Sequence, residues 1–249
     1  MKIIKDIRYS QDSEQCRLDA YLPERENAPS IVYFHGGGLE GGKKEDECYV
    51  GLATALAKRG YAFFSVEYRL YTNGAKFPEY LVDCAKAVAF VKDNYAKGQL
   101  FVSGQSAGAW ISLMLCLDKK YLADVGLDSA CVDGWIIDSA QTTSHYNVLK
   151  FEKGLEPRLQ RIDEFAPLYY VDENTDFSKM LIFFYEEDIP CRLEQNMLFI
   201  KDVLHFNGNA NIKYKCLPGG HCHGSTHTDE DGEYPVVKEM LKWFEEKEG

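Results

Sequence analysis

Short apolar runs alternate along this chain with stretches in which apolar side chains return every three or four residues. SIVYFHGGG (30–38), YAFFSVEYRL (61–70), QLFVSG (99–104), VDGWIID (132–138), KMLIFFYEED (179–188) and IKYKCLPGG (212–220) are of the first kind. Their lengths and bounding residues predict strands. DECYVGLATALAKRG (46–60), PEYLVDCAKAVAFVKDNYAKG (78–98), SAGAWISLMLCL (106–117), RLEQNMLFIKDVLHF (192–206) and PVVKEMLKWFEEKEG (235–249) are of the second kind and predict helices. Gly60 and Gly98 fall where a helix stops, and Pro78 falls in a first turn. Strands alternating with helices imply a parallel sheet with helices on both faces. Continuously apolar strands suit a sheet covered on both sides. Near the N-terminus, KDIRYS and CRLDAYLPE alternate more weakly with no helix between them, which predicts an antiparallel hairpin at one edge. The rhythm fails at 140–179, a polar and aromatic stretch that reads as an insertion lying over the site as a lid or cap. The whole of 1–249 then reads as a single α/β domain.

Composition narrows the function classes. A chain of 249 residues buries most of the apolar surface that its unfolded form exposes, so disulfide staples are not needed. Hydrophobic residues make up 45% and charged residues 27%, a soluble globular profile. The formal net charge of −11 argues against nucleic acid or an anionic membrane as partner, because both call for a basic patch. Charges interrupt the first residues, MKIIKDIRYSQDSEQ, so no signal-peptide core is expected there. No apolar run approaches the ~20 residues of a membrane span. The eight cysteines are spread singly, with no Cys-x-x-Cys pair. That pattern predicts reduced thiols and a cytoplasmic protein, with Cys84, Cys116 and Cys131 as small core residues. A homo-oligomer is compatible with all of this.

Two stretches carry candidate chemistry. GQSAG (104–108) puts Ser106 between a strand and a helix. A turn this sharp needs tiny neighbours, which Gly104 and Gly108 supply, and it lifts the serine oxygen above the helix N-terminus, where negative charge is favoured. The bland alternative is an ordinary βα turn that happens to contain serine. HGGGLEGG (35–42) stands at the end of the first parallel strand. Consecutive glycines let backbone N–H groups face a ligand oxygen, the arrangement that stabilises an oxyanion. The alternative there is a flexible loop.

HGGG, EYRL, FPEYLVD and GQSAG, in that order, resemble the α/β-hydrolase superfamily. Within it the chain is most similar to carboxylesterases of the hormone-sensitive-lipase-like and carbohydrate-esterase groups, from about residue 30 to the last helix. The resemblance implies an α/β-hydrolase fold with a mostly parallel central sheet. It also implies oxyanion donors at Gly37, Gly38 and Ala107, a bracing role for His35, and structural roles for Arg69 and Asp83. A triad in this fold runs serine, acid, histidine in chain order. The acid follows the strand KMLIFFY, where Asp188 leads Glu187 and Glu186. The histidine follows the last strand. His221, directly after Pro-Gly-Gly, is preferred, with His223 as the alternative catalytic histidine.

His221, Cys222, His223, His227 and Asp229 are also possible metal ligands, but their spacing matches no zinc template, so no metal is expected. His145 reads as polar surface or pocket wall, and Trp110 and Trp135 as core. The expectation is a serine esterase acting on small carboxylic esters, with deacetylation of sugars or oligosaccharides as a special case. It works through Ser106, His221 and Asp188 and an acyl-enzyme, without a cofactor. The competing readings are an amidase or peptidase of the same fold, and a non-catalytic binding domain.

Overall fold

The computed structural model describes residues 1–246. Its strands are β1 (Lys2–Arg8), β2 (Arg17–Leu22), β3 (Ser30–Phe34), β4 (Ala62–Val66), β5 (Leu100–Gln105), β6 (Gly134–Asp138), β7 (Met180–Glu187) and β8 (Ile212–Gly220). The helices are α1 (Glu47–Lys58), α2 (Glu79–Asn94), α3 (Ala107–Leu117), α4 (Lys120–Ala123), α5 (Tyr146–Lys153), α6 (Arg192–Phe206), α7 (His223–Thr226) and α8 (Pro235–Glu245). The last three residues of the predicted C-terminal helix, 247–249, lie outside the described residues.

All eight strands form one sheet in the order β1-β2-β4-β3-β5-β6-β7-β8. From β4 to β8 the neighbours are parallel. The predicted hairpin is present: β1 pairs antiparallel with β2, and β2 antiparallel with β4. At the other edge β8 is largely exposed. Its Lys213 and Lys215 pair with Glu246 and Glu239 in and just beyond α8.

Side-chain alternation divides the core in two. Val32, Phe34, Val102, Ile182 and Phe184 join residues of α2, α3 and α6 on one face. Ile31, Tyr33, Phe101, Leu181, Phe183 and Tyr185 join residues of α1 and α8 on the other. Every residue of α3 is buried, so this helix runs through the interior behind the middle of the sheet. Trp110 and Trp135 are fully buried, as expected. Cys84 and Cys116 are core residues, but Cys131 is only half-buried because it sits in a 3-10 turn before β6. Among the described residues no helix is long and apolar enough to cross a membrane.

The segment 140–179 is less of a surface lid than its polarity suggests. Residues 140–145 are buried, α5 packs its first turn inward, and a 3-10 turn at Pro167–Tyr170 contacts α3. Polar side chains here satisfy backbone groups in the interior: the Thr142 hydroxyl donates to the Gln195 carbonyl at 2.9 Å, and Trp110 donates to the Phe165 carbonyl at 3.1 Å. His145 is accordingly not surface. It is 2% exposed, caps α5 by accepting from the Asn147 N–H, and lies against Trp110 and Tyr146. Burial pushes its pKa down to about 3, so it is a neutral structural group.

Candidate active site

Ser106 stands between β5 and α3 with φ 53° and ψ −111°, outside the usual regions for an L-residue. The turn closes because two glycines let backbone meet backbone. A Cβ on Gly104 would fall 2.3 Å from the Gly108 carbonyl carbon, and one on Gly108 would fall 2.0 Å from the Phe34 carbonyl oxygen. The Ser106 N–H donates to the Asp138 carbonyl at 2.8 Å, tying the turn to the neighbouring strand.

His221 Nε2 lies 2.8 Å from Ser106 Oγ, and its Nδ1 lies 2.5 Å from Asp188 Oδ1. Three strand ends thus converge: β5 supplies Ser106, β7 runs out at Asp188, and β8 runs out at His221. The carboxylate beside Nδ1 favours a proton on that nitrogen and leaves Nε2 to accept from the serine hydroxyl. Burial pushes the Asp188 pKa up, but hydrogen bonds from His221 and Ser139 outweigh it and hold the carboxyl below its ordinary range. Glu186 and Glu187 are exposed at the end of β7.

His223 goes elsewhere. Cys222 is left-handed (φ 59°) and begins the short turn of α7, so His223 is exposed and stacks on His227 with ring centroids 4.3 Å apart. From Cys222 onward the loop is therefore a helical turn. Among the described residues no group of three or more His, Cys, Asp or Glu is arranged to hold a metal ion.

Gly37 and Gly38 have φ of +110° and +65°, and the Gly37 carbonyl accepts from the Glu40 and Gly41 N–H groups. The N–H groups of Gly37, Gly38 and Ala107 find no acceptor among the described residues. His35 is buried beneath this loop, stacked on Tyr68, whose hydroxyl donates to the His35 carbonyl at 2.7 Å. Arg69 forms a two-pronged pair with buried Asp83 at 2.7 and 2.8 Å, joining the residues after β4 to α2. The insertion holds the loop from above: Asn147 Nδ2 donates to the Gly38 carbonyl at 2.6 Å and to Glu40 at 2.7 Å.

Several contributors carry no sequence signal. Ser139, also left-handed (φ 58°), donates its hydroxyl to Asp188 Oδ2 and lies 2.9 Å from His221 Nδ1. Only its position just after a predicted strand hinted at it. Asp138 sits beneath, fully buried, accepting from the Tyr185 hydroxyl at 2.8 Å and the Ser225 hydroxyl at 2.5 Å. Gln105 donates to Ser225, Tyr49 donates to Gln105, and the Gly36 N–H donates to Tyr49. One polar chain therefore runs from β6 to the root of the glycine loop. Burial pushes the Asp138 carboxyl up to about 6.

The family description BD-FAE matches residues 18–148, just over half of the chain and the part that carries both the glycine loop and the serine turn. The chain belongs to the BD-FAE family. This BD-FAE chain is 29% identical over 229 residues to neutral cholesterol ester hydrolase 1 of Bos taurus, covering 89% of the chain and 46% of that protein. It is 25% identical over 142 residues to a kynurenine formamidase of Scheffersomyces stipitis, covering 55% of the chain and 52% of that protein. The chain spans about half or less of the length of these curated relatives. Among solved structures, a truncated carbohydrate esterase from gut microbiota superposes with a TM-score of 0.74 at 20% identity, covering 98% of this chain and 95% of that one. The fold of this BD-FAE chain is the α/β-hydrolase fold.

Proposed function

We propose that the chain is a serine hydrolase that cleaves small carboxylic esters. The observation that carries this reading is His221, with Nε2 2.8 Å from the Ser106 hydroxyl and Nδ1 2.5 Å from Asp188. A general base must reach its proton donor within about 2.6–3.2 Å, and this one does. In the proposed mechanism His221 takes the proton as Ser106 attacks the ester carbonyl. Asp188 fixes the tautomer and stabilises the imidazolium. The unpaired N–H groups of Gly37, Gly38 and Ala107 bind the oxyanion. The alcohol leaves with the proton from His221, and water activated by the same base releases the acid. No cofactor enters these steps.

Sugar or oligosaccharide esters are the proposed substrate class, supported by the structural likeness to a carbohydrate esterase and by a site rich in amide and hydroxyl side chains. The chain is read as one domain with 140–179 beside the site, because all eight strands belong to one sheet. Eight unpaired thiols favour a cytoplasmic setting. The likeness to a kynurenine formamidase favours a second reading, hydrolysis of a small amide by the same groups.

Hydrolysis of 4-nitrophenyl acetate by the parent and by Ser106→Ala tests the first reading. The variant is expected to fold as the parent does and to lose on the order of 10³-fold or more in kcat/KM. Near-parent activity in the variant would overturn it. A matched 4-nitroanilide separates ester from amide hydrolysis.

A further inference from the structure

Between the insertion and the start of α6 lies a cavity of about 570 Å³, bordered by Gln141, Tyr146, Arg158, Ile189, Arg192 and Gln195. It abuts the candidate site on two sides. Ile189 follows Asp188 and donates its N–H to that carboxylate at 2.7 Å. The Tyr146 hydroxyl stands only 2.1 Å from where a Cβ on Gly38 would lie, so it rests against the glycine loop.

The charge in this cavity is unusual for the chain. The net charge is −11, yet no aspartate or glutamate lines it. Arg192 is 4% exposed, and its one hydrogen bond from the guanidinium runs from Nη1 to the Ser139 carbonyl at 2.8 Å. Nε and Nη2 donate to no group among the described residues, and neither is a sealed-off polar atom. Asp188 is the carboxylate whose charge acts on it, but it forms no ion pair with Arg192 and its oxygens are engaged by His221, Ser139 and the Ile189 N–H. A buried guanidinium without a carboxylate is costly, and the cost is removed by an anion that binds it. One further feature points the same way. Arg158 stands exposed at the rim as a second cation.

We infer that this cavity is a subsite for a carboxylate carried by the ester substrate, with Arg192 binding it and setting specificity. The inference rests on the hydrolase reading above. A carboxylate offers two oxygens in the plane that a guanidinium fork matches. A neutral hydroxyl would satisfy the surrounding glutamines and leave the guanidinium unpaired. The carboxylate sits on either the acyl or the alcohol half of the ester, and the two sources are separated by experiment.

The test uses matched esters that differ only in charge. On the acyl side, 4-nitrophenyl hemiglutarate is compared with its methyl-capped diester by nitrophenol release. On the alcohol side, O-acetyl-lactate is compared with its methyl ester by acetate release. In one arm the charged member should have a kcat/KM higher by about tenfold or more, and that arm identifies the half that carries the group. In Arg192→Gln the ratio should fall toward one. Because the ratio is internal to each protein, a general loss of rate from loosening Ser139 cancels. If Arg192→Gln does not fold, Arg158→Gln should still lower the ratio a few-fold. Equal or reversed preference in both arms of the parent overturns the inference. If the parent does not hydrolyse 4-nitrophenyl acetate, the hydrolase reading is what has failed. Calorimetric titration of glutarate and lactate then decides the subsite: binding weakened by either arginine change supports it, and absence of binding overturns it.

Discussion

At the scale of residues, one backbone conformation sends two histidines two positions apart in different directions. Gly220 still pairs with Glu187, which aims His221 at Ser106, and the left-handed Cys222 then turns His223 away to solvent. His221→Ala is expected to lose ester hydrolysis by on the order of 10³-fold, and His223→Ala by less than about threefold, in kcat/KM on 4-nitrophenyl acetate. The reverse pattern would mean that the loop rearranges when substrate binds. Spacing alone left both histidines open, because Pro-Gly-Gly permits a bend in either direction. Ser139 and Arg192 were illegible for a different reason. They act through contacts between the ends of β6, β7 and α6, and no motif spans those distances in sequence.

The elements were far more legible. Strands β3 to β7 are apolar on both faces over most of their length, so each stands out as a run, and the five longest helices show their 3.6-residue period. The short α4 and α7 were not visible, since four residues hold too little pattern to read. In the insertion, the polar residues 141–145 and Asn147 are turned inward and several bond buried backbone groups, which polarity alone cannot reveal. The strand–turn–helix at Ser106 depends on α3 lying directly against the end of β3. Gly108→Ala would drive a Cβ to 2.0 Å from the Phe34 carbonyl oxygen, where no flexible side chain can yield. The expected cost is about 3 kcal/mol or more, read as a lowered urea midpoint. An unchanged midpoint would show that helix and strand separate readily, contrary to their tight packing.

At the scale of the whole molecule, the buried chain from Asp138 through Ser225, Gln105 and Tyr49 to Gly36 links the middle of the sheet to α1, α7 and the glycine loop. Its one acidic member makes stability depend on pH. The Asp138 carboxyl titrates near 6 when folded, against about 3.9 when unfolded. Between those values the folded state holds more protons, so stability falls as pH rises, and above pH 6 the cost is complete at about 3 kcal/mol. Asp188 has the opposite sign: its depressed pKa gives stability that is present above about pH 4 and lost as pH falls further. The two windows do not overlap. Asp138→Asn keeps an acceptor for Tyr185, while Ser225 can turn its hydroxyl to the Cys222 carbonyl at 3.0 Å. Melting temperatures of parent and variant should therefore diverge between pH 4.5 and 7, with the variant losing less. Parallel curves would place the titration elsewhere.

The exposed edge of β8 bears on how the protein behaves in concentrated solution. A free strand edge invites another chain to add to the sheet, and charged side chains along it discourage this. Lys213 and Lys215, tethered by Glu246 and Glu239, flank Tyr214 on that edge. Replacing both lysines with valine would leave a run of high β-propensity and low charge, Ile212 to Leu217, open to a neighbour. The double variant should remain folded when dilute, yet scatter light and sediment as large particles at concentrations where the parent stays clear. If it stays equally clear, the lysines are not the guards of that edge.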